Sequence, residues 1–227
     1  MLTIDSANSP SDFYTKLGDQ GFRVSARKSD RQLEKQEQEA WCARRLFLVL
    51  IDNGLTEFPL SISQREEPDF QITENNRSYW LEITRAISEA DAREWSLAQK
   101  EKIGVYFVGD LGGRKAQDRL STAAEITCNI QAAINKKSTK SYVYSKPTDL
   151  LIYIDGNNVV WLDSERADEN GKTYQDLVCL FPYENAESFQ RIFLLWNSGK
   201  VSQLKKTSSE KHFHLSADMV HTLKQLR

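Results

Sequence analysis

The chain has 227 residues, of which 40% are hydrophobic and 27% are charged, and its formal net charge is −2. These values are ordinary for a soluble globular protein, and the longest apolar run, residues 46–51, is far shorter than the roughly 20 residues that a membrane-spanning helix needs. The N-terminus lacks a basic region followed by an apolar stretch, so we expect no secretory signal, no membrane partner and a cytoplasmic protein. We expect Cys42, Cys128 and Cys179 to be reduced core thiols.

The first two predicted segments are an N-terminal arm and a long helix. Residues 1–29 are polar and irregular, which predicts an arm or a loosely packed element. Residues 30–53 have a helical pattern that becomes almost wholly apolar at its end, and Gly54 follows as a stop signal. We expect the second half of this helix to be buried against a sheet. Its predicted inner face carries Glu39, Ala43, Leu46, Phe47 and Leu50.

Three short strands are predicted next, at residues 58–62, 69–73 and 78–84. Asn75-Asn76 predicts a two-residue turn between the second and the third strand. Such a turn fixes the register of the hairpin, because it leaves no freedom in the pairing. The predicted pairs are Glu74 with Arg77, Thr73 with Ser78, Ile72 with Tyr79, Gln71 with Trp80, Phe70 with Leu81, and Asp69 with Glu82.

The pairing of Asp69 with Glu82 is the most informative feature of the sequence. Side chains that face each other in a hairpin have Cβ atoms about 4.5–5.5 Å apart, and like charges at that distance destabilise the hairpin. A divalent cation is the simplest candidate for neutralising them, because hard ions bind clustered carboxylate oxygens. The alternative is an exposed hairpin at a sheet edge with two solvated carboxylates.

The rest of the chain predicts two more helices and a buried strand. Residues 85–102 have a charged helical pattern, a glycine-bearing connection spans 104–113, and a second long helix is predicted over 114–137. The apolar run 149–154 is typical of a buried strand. Later elements are predicted at 159–162 and 191–196 as strands and at 217–226 as a terminal helix.

This order of elements predicts an α/β fold with a mixed sheet. We expect a single domain over residues 1–227, with a core at about 30–155. The arm 1–29 precedes this core, and an extension of strand and helix over 156–227 follows it.

Five residues carry a resemblance to a known family. The chain has Pro68-Asp69, a hairpin spacer and then Glu82-Ile83-Thr84, after one long predicted helix and before another. This arrangement resembles the PD-(D/E)XK nuclease superfamily, whose pattern is Pro-Asp, a spacer, an acidic residue, any residue and Lys. The resemblance implies a restriction-endonuclease-like three-layer sandwich with an αβββαβ core. It also implies metal-dependent hydrolysis of phosphodiester bonds.

The resemblance covers about residues 30–155 and implies a cofactor with its ligands. Phosphodiester cleavage needs an activated water and neutralisation of phosphate charge, and Mg²⁺, or Mn²⁺ in its place, supplies both. Asp69 would anchor the ion, Glu82 would complete the site, and the carbonyl of Ile83 would coordinate. Glu39 is a further candidate, because the superfamily often places a Glu on the first helix facing the metal. Alternatively, Glu39 serves only the helix dipole.

Thr84 departs from the family pattern, which commonly has Lys at this position to orient or activate the water. A Thr hydroxyl carries no charge, so either a lysine comes from elsewhere or hydrolytic activity has been lost. Lys137 is the first candidate, because it shares the apolar face of its helix with Ile134. Lys136 competes with it, and Gln131 would add a polar contact to nucleic acid. Alternatively, both lysines simply end a helix, where positive charge suits the dipole.

A basic stretch over residues 111–147 permits a positive face on a slightly acidic protein. It includes Arg114, Lys115 and Lys140, which we expect to contact nucleic acid, DNA rather than RNA. The alternative is a set of solvated helix surfaces. Trp80 lies on the face of the acidic pair, where it flanks the site, stacks on a base or packs in the core. The sequence leaves open whether the protein forms a homodimer that cuts two strands.

Two functions from different classes follow from the sequence. The first is a Mg²⁺-dependent nuclease that uses Asp69 and Glu82, and the retained pair of opposed carboxylates favours it. The second is a catalytically inactive module that keeps the fold in order to bind nucleic acid or protein, and Thr84 favours it.

Overall fold

The computed structural model describes residues 1–20, 31–87, 123–140, 145–154, 173–196, 199–204 and 213–215. The connection predicted over 104–113, the strand at 159–162 and the terminal helix at 217–226 lie outside these residues, as does nearly all of the helix predicted over 85–102. Within the described ranges the chain forms a mixed sheet of eight strands, which follow one another across the sheet in chain order. No helix in these ranges is both long and apolar enough to cross a membrane.

The strands are β1 Thr3–Ala7, β2 Leu60–Gln64, β3 Phe70–Glu74, β4 Arg77–Ala86, β5 Thr148–Ile154, β6 Ile192–Leu195, β7 Val201–Gln203 and β8 Phe213–Leu215. Strands β1 to β4 are antiparallel neighbours, β4, β5 and β6 run parallel, and β6 to β8 are antiparallel again. The predicted α/β class and mixed sheet are therefore confirmed.

Four described helices flank the sheet: α1 Pro10–Asp19, α2 Arg31–Asp52, α3 Ala123–Ser138 and α4 Tyr174–Leu180. Helix α2 confirms the predicted helix over 30–53, and α3 covers the second half of the helix predicted over 114–137. Because β4 and β5 are parallel, the chain between them must cross over the sheet, and α3 lies within that crossover.

The prediction of an irregular N-terminal arm is wrong for residues 1–20, which fold into β1 and α1. Strand β1 pairs with β2, but a register shift interrupts the pairing between Ile4 and Ala7. Ser6, inside that interval, has a φ of 43°. The shift breaks the alternation of buried and exposed residues on which strand prediction depends, so the segment has no strand pattern.

Buried side chains form one apolar cluster on each face of the sheet. Helices α1 and α2 pack on one face against Leu81, Ile83 and Leu151. Helices α3 and α4 pack on the other face against Leu150 and Ile152. The result is a sheet between two layers of helices. Of the cysteines, Cys42 and Cys179 are buried as expected, whereas Cys128 is exposed on α3.

The β3–β4 hairpin has the predicted register, with each of the five pairs from Glu74–Arg77 to Phe70–Leu81 as expected. Asn75 and Asn76 form the turn with φ angles of 43° and 66°. Both lie in the left-handed region that Asn tolerates better than most residues, and two such residues in sequence are typical of the tight hairpin turn. The turn therefore determines which side chains meet at the far end of the hairpin.

Candidate active site

Asp69 and Glu82 lie at the end of the hairpin that is opposite to the turn. Phe70 is the first residue of β3, whereas β4 continues to Ala86 and keeps its pairing with β5 on its other side. A gap therefore opens beside β4 beyond Leu81, and the acidic pair lies at the start of this gap. Both carboxylates are buried, with 3% of Asp69 and 1% of Glu82 exposed.

Hydrogen bonds from the backbone hold the two carboxylates where the ladder between β3 and β4 ends. The N–H of Ile83 donates to Oδ2 of Asp69 at 2.8 Å, so this carboxylate replaces the strand partner that Ile83 would otherwise have. The N–H of Asp69 donates to Oε1 of Glu82 at 3.3 Å. These two backbone donors are thus satisfied by carboxylates, which fixes both side chains.

The ammonium group of Lys137 joins the two acids. Its Nζ donates a hydrogen bond to Oε2 of Glu82 and lies 3.7 Å from Oδ2 of Asp69. The Lys137 side chain is only 15% exposed and comes from α3, where Ile130 and Ile134 on the same helix face are buried. In this structure, the positive charge that offsets the two opposed carboxylates is therefore supplied by Lys137 of the chain itself.

Burial raises the pKa of the Asp69 carboxyl, the nearby Lys137 ammonium lowers it, and the charge of Glu39 raises it again. The net direction is upward, because the removal of water outweighs the attraction of a single ammonium. The structure therefore contains a carboxylate whose negative charge is not fully compensated. Such a carboxylate is suited to binding an additional positive charge.

A cavity of about 350 Å³ adjoins the acidic pair and lies between the first half of α2 and the end of α3. Five of its lining residues are cationic, and Glu39 is the one acidic residue among them. Asp69 and Glu82 do not line this cavity, so Lys137 separates them from it. The lining residues are Lys35, Gln38, Glu39, Cys42, Ile83, Thr84, Arg85, Lys136, Lys137, Lys140 and Tyr153.

Glu39 points inward from α2, as the helix periodicity predicts, and is 6% exposed. Its Oε1 lies 3.1 Å from Nζ of Lys35, one turn earlier on the same helix. Burial alone would lower the pKa of Lys35, but the hydrogen bond to Glu39 raises it overall. Glu39 thus faces the cavity and pairs with Lys35. This ion pair is separate from the one that Lys137 makes with Asp69 and Glu82.

Thr84, which occupies the position of the lysine in the family pattern, lines the cavity but contributes no charge. Lys136 lines the cavity from α3 and is exposed, and among the described residues the ion pairs of Asp69 and Glu82 are with Lys137. Lys140 also lines it and lies 2.9 Å from Oε1 of Glu67 in an exposed ion pair. Of the two lysines proposed as replacements, the structure therefore brings Lys137 and not Lys136 to the carboxylates.

Gln131 is not brought to the cavity. Its side-chain amide donates to the carbonyl of Glu184 at 3.0 Å and accepts from the N–H of the same residue at 2.9 Å. It also donates to Asn135. Gln131 therefore fastens α3 to a neighbouring loop. Arg114 and Lys115, the other residues expected to contact nucleic acid, lie outside the described part of the chain.

Two cations of the cavity, Lys35 and Arg85, were not predicted from the sequence. A signal for Lys35 existed, since it lies four residues before Glu39, which is the spacing of ion pairs on a helix surface. Arg85 donates to Gln38 of α2 and so links β4 to that helix. Its position had no signal, because the pattern at residue 85 predicts a helix, whereas β4 continues through it.

Comparisons with known proteins give no relative of this chain: no protein-family model, no curated protein and no solved structure matches it. We therefore infer the function from the site alone.

The donor atoms at the acidic pair fit a magnesium ion. Mg²⁺ is usually held by one or two carboxylates, with water and substrate phosphate as its other ligands. Asp69 and Glu82 supply two carboxylates. Ile83 lies in β4 with its N–H toward Asp69, so its carbonyl faces the same gap. Among the described residues, no group of three or more His, Cys, Asp or Glu side chains is arranged to hold a metal.

Proposed function

We propose that this protein is a Mg²⁺-dependent nuclease of the restriction-endonuclease-like class, which hydrolyses phosphodiester bonds, in DNA rather than RNA. One observation carries the proposal: a buried pair of carboxylates, bridged by a lysine ammonium, lies beneath a cavity that is lined mainly by cations. The carboxylates suit a metal ion, and the cations suit the phosphate groups of a polyanion.

The element order supports the finer assignment of the fold. Within the described residues, α2, β2, β3, β4, α3 and β5 follow one another as helix, three strands, helix and strand. Asp69 lies immediately before β3 and Glu82 lies within β4, which is where the family pattern places its two acids. The cytoplasmic location expected from the sequence is part of the same proposal.

Asp69, Glu82 and the carbonyl of Ile83 would hold the metal ion. When bound, the ion would lower the pKa of a water and offset charge on the phosphate. Lys35, Lys136 and Lys140 would hold the phosphates of the strand at the cavity, since each is an ammonium that lines it.

Lys137 would replace the lysine that is missing at Thr84. Its ammonium lies at the boundary between the acidic pair and the cavity. From there Nζ can donate either to the carboxylates or to an oxygen of the scissile phosphate, and it can hold the attacking water between them. This assigns to a helix residue the role that the family pattern gives to a strand residue.

Two observations favour the second candidate function, an inactive module that binds nucleic acid or protein. The Lys137 ammonium already neutralises part of the charge on Asp69 and Glu82, so the pair can persist without any metal. Thr84 also lacks the charge of the family lysine. On this alternative the buried ion pair is a structural feature, and the cationic cavity binds a strand without cutting it.

A cleavage assay separates these two functions. Wild-type protein is incubated with plasmid DNA, single-stranded DNA and RNA, in Mg²⁺, in Mn²⁺ and in EDTA. We expect metal-dependent cleavage that Glu82→Gln lowers on the order of 10³-fold, because losing a ligand of the ion removes several kcal/mol of charge stabilisation and each 1.36 kcal/mol is about tenfold.

Glu67→Gln is the matched control for that assay. It makes the same chemical change two residues before Asp69, but on an exposed side chain whose partner is Lys140. We expect it to keep its activity within a few-fold. Binding of nucleic acid without any cleavage by the wild type would support the inactive module instead.

A further inference from the structure

A second group of cations surrounds Trp80, outside the cavity. The guanidinium carbon of Arg65 lies 5.8 Å from the centre of the Trp80 ring, and Nζ of Lys146 lies 4.6 Å from it. Both distances allow a favourable cation–π contact. The three side chains, called here the Trp80 cluster, come from three separate segments of the chain: the loop before β3, strand β4 and the loop before β5.

The backbone fixes the position of each segment. The N–H of Arg65 donates to the carbonyl of Asp69 at 2.8 Å, which ties this segment to the acidic pair. The N–H of Trp80 donates to the carbonyl of Pro147 at 2.9 Å, next to Lys146. Trp80 is half-buried, whereas Arg65 and Lys146 are exposed. The two cations of the cluster thus lie at the surface, and backbone hydrogen bonds hold the segments that carry them in place.

Within the ranges that the structure describes, the cations of this cluster differ from several others in having no acidic partner. Lys137, Lys140 and Arg191 each form an ion pair with a carboxylate. Arg65 and Lys146 form none with any described residue. Two positive charges therefore meet at one aromatic ring, and no residue in the described part of the chain supplies a counter-ion.

The indole N–H of Trp80 is a further feature of the cluster. Its Nε1 is buried, and within the described ranges no acceptor lies within hydrogen-bonding distance of it. Indole N–H groups are usually paired when they are buried. Among the described residues the cluster therefore combines two cations that form no ion pair with a buried donor that has no acceptor, and the two exposed cations suit an anionic ligand from outside.

Trp80 and Glu82 lie on the same face of β4, because side chains two residues apart in a strand point the same way. Two residues of a strand span about 6.7 Å. Successive nucleotides of one duplex strand rise about 3.4 Å each along the helix axis, and consecutive phosphates are farther apart than this rise because the backbone winds around the axis, so this separation corresponds to one or two nucleotide steps. A strand with one phosphate at the acidic pair would place a neighbouring phosphate at the Trp80 cluster.

We propose that the Trp80 cluster binds the sugar-phosphate backbone of the nucleic-acid strand, one or two nucleotides away from the phosphate at Asp69 and Glu82. Arg65 and Lys146 hold the phosphate oxygens, and Trp80 positions both cations through its ring. This proposal rests on the proposed function for the identity of the ligand. It adds a binding subsite that sets which bond of the strand reaches the acidic pair.

The test is a binding measurement in EDTA, so that it does not depend on cleavage. Fluorescence anisotropy of short labelled duplex DNA, single-stranded DNA and RNA gives the dissociation constant over a range of salt concentrations. We expect Arg65→Gln and Lys146→Gln each to weaken binding about three- to tenfold. For the strand that binds, each substitution also reduces the slope of log affinity against log salt by up to about one unit.

Arg77→Gln is the control, since it removes the same charge from an exposed residue of β4 at the end next to the turn. It should bind like the wild type. Trp80→Phe, which keeps a ring, should bind more tightly than Trp80→Leu, with melting temperatures recorded for both. If Arg65→Gln and Lys146→Gln both bind with the affinity and salt slope of Arg77→Gln, the subsite is refuted. If the wild type fails to cleave nucleic acid but Arg65→Gln and Lys146→Gln still weaken binding, only the nuclease proposal is contradicted.

Discussion

Asp69→Asn is expected to abolish metal-dependent cleavage and to leave the metal-free protein at least as stable as the wild type. The loss of activity, on the order of 10³-fold, follows from the loss of a metal ligand and its charge. The unchanged or higher stability follows from the burial of Asp69, which opposes its ionisation. An Asn oxygen can still accept the hydrogen bond from the N–H of Ile83.

The pH dependence of the free energy of unfolding shows whether ionisation of Asp69 stabilises or destabilises the folded protein. Because the pKa of Asp69 in the folded state is raised above its ordinary value of 3.8, the folded protein holds the proton more tightly than the unfolded chain does. The free energy of unfolding therefore falls as pH rises from the ordinary value through the raised one, and this cost persists at higher pH. Asp69→Asn should make this decline smaller in thermal denaturation curves recorded in EDTA, and the part that remains includes Glu74, whose pKa burial also raises.

Asp149→Asn is the matched control for Asp69→Asn, because Asp149 is an equally buried aspartate with a different environment. Its Oδ2 accepts two hydrogen bonds from Arg191, at 2.6 and 2.9 Å. Removal of one partner of such a buried pair costs about 3–5 kcal/mol, so this variant should be clearly destabilised. If Asp69→Asn proved to be destabilised to the same extent, Asp69 would be a structural residue like Asp149.

Lys137→Gln is expected to have the largest effect on stability of any single change at the site. It leaves Asp69 and Glu82 buried and opposed without their shared ammonium, and breaking a buried ion pair in this way costs about 3–5 kcal/mol. For a chain of this length we expect the melting temperature to fall by about 10 °C. Cleavage should be lost as well, measured at a temperature where the variant remains folded.

Lys136→Gln is the adjacent control, with an exposed side chain that forms no ion pair within the described part of the chain. A surface substitution of this kind usually changes stability by less than about 0.5 kcal/mol. Equal melting temperatures for Lys136→Gln and Lys137→Gln would mean that the ammonium of Lys137 does not hold the acidic pair together. A comparison of both variants with wild type by differential scanning calorimetry decides the point.

The parts of the fold that could be predicted from the sequence are those determined by local rules. The turn at Asn75-Asn76 fixes the hairpin register, so the meeting of Asp69 and Glu82 follows from counting residues. The inward direction of Glu39 and of Lys137 follows from helix periodicity in the same way. In each case a short stretch of chain contains all the information that the prediction needs.

The parts that could not be predicted depend on contacts between distant segments. Strand β1 is interrupted by a register shift, and it is joined to β2 and α2 by Gln64, whose side chain accepts from the N–H of Leu2 and donates to the carbonyl of Gln36. Nothing in the spacing of residues 1–20 indicates this partner. Likewise, Arg85 reaches the cavity only because β4 extends beyond the end of its pairing with β3.

The most direct measurement of the central claim is calorimetric titration of Mn²⁺ into the metal-free protein. We expect one site in the wild type and none in Asp69→Asn. Lys137→Gln should bind Mn²⁺ more tightly than the wild type, because its carboxylates no longer have an ammonium that competes with the metal. Absence of binding in all three proteins, or equal binding in wild type and Asp69→Asn, would contradict the assignment of a metal site to Asp69 and Glu82.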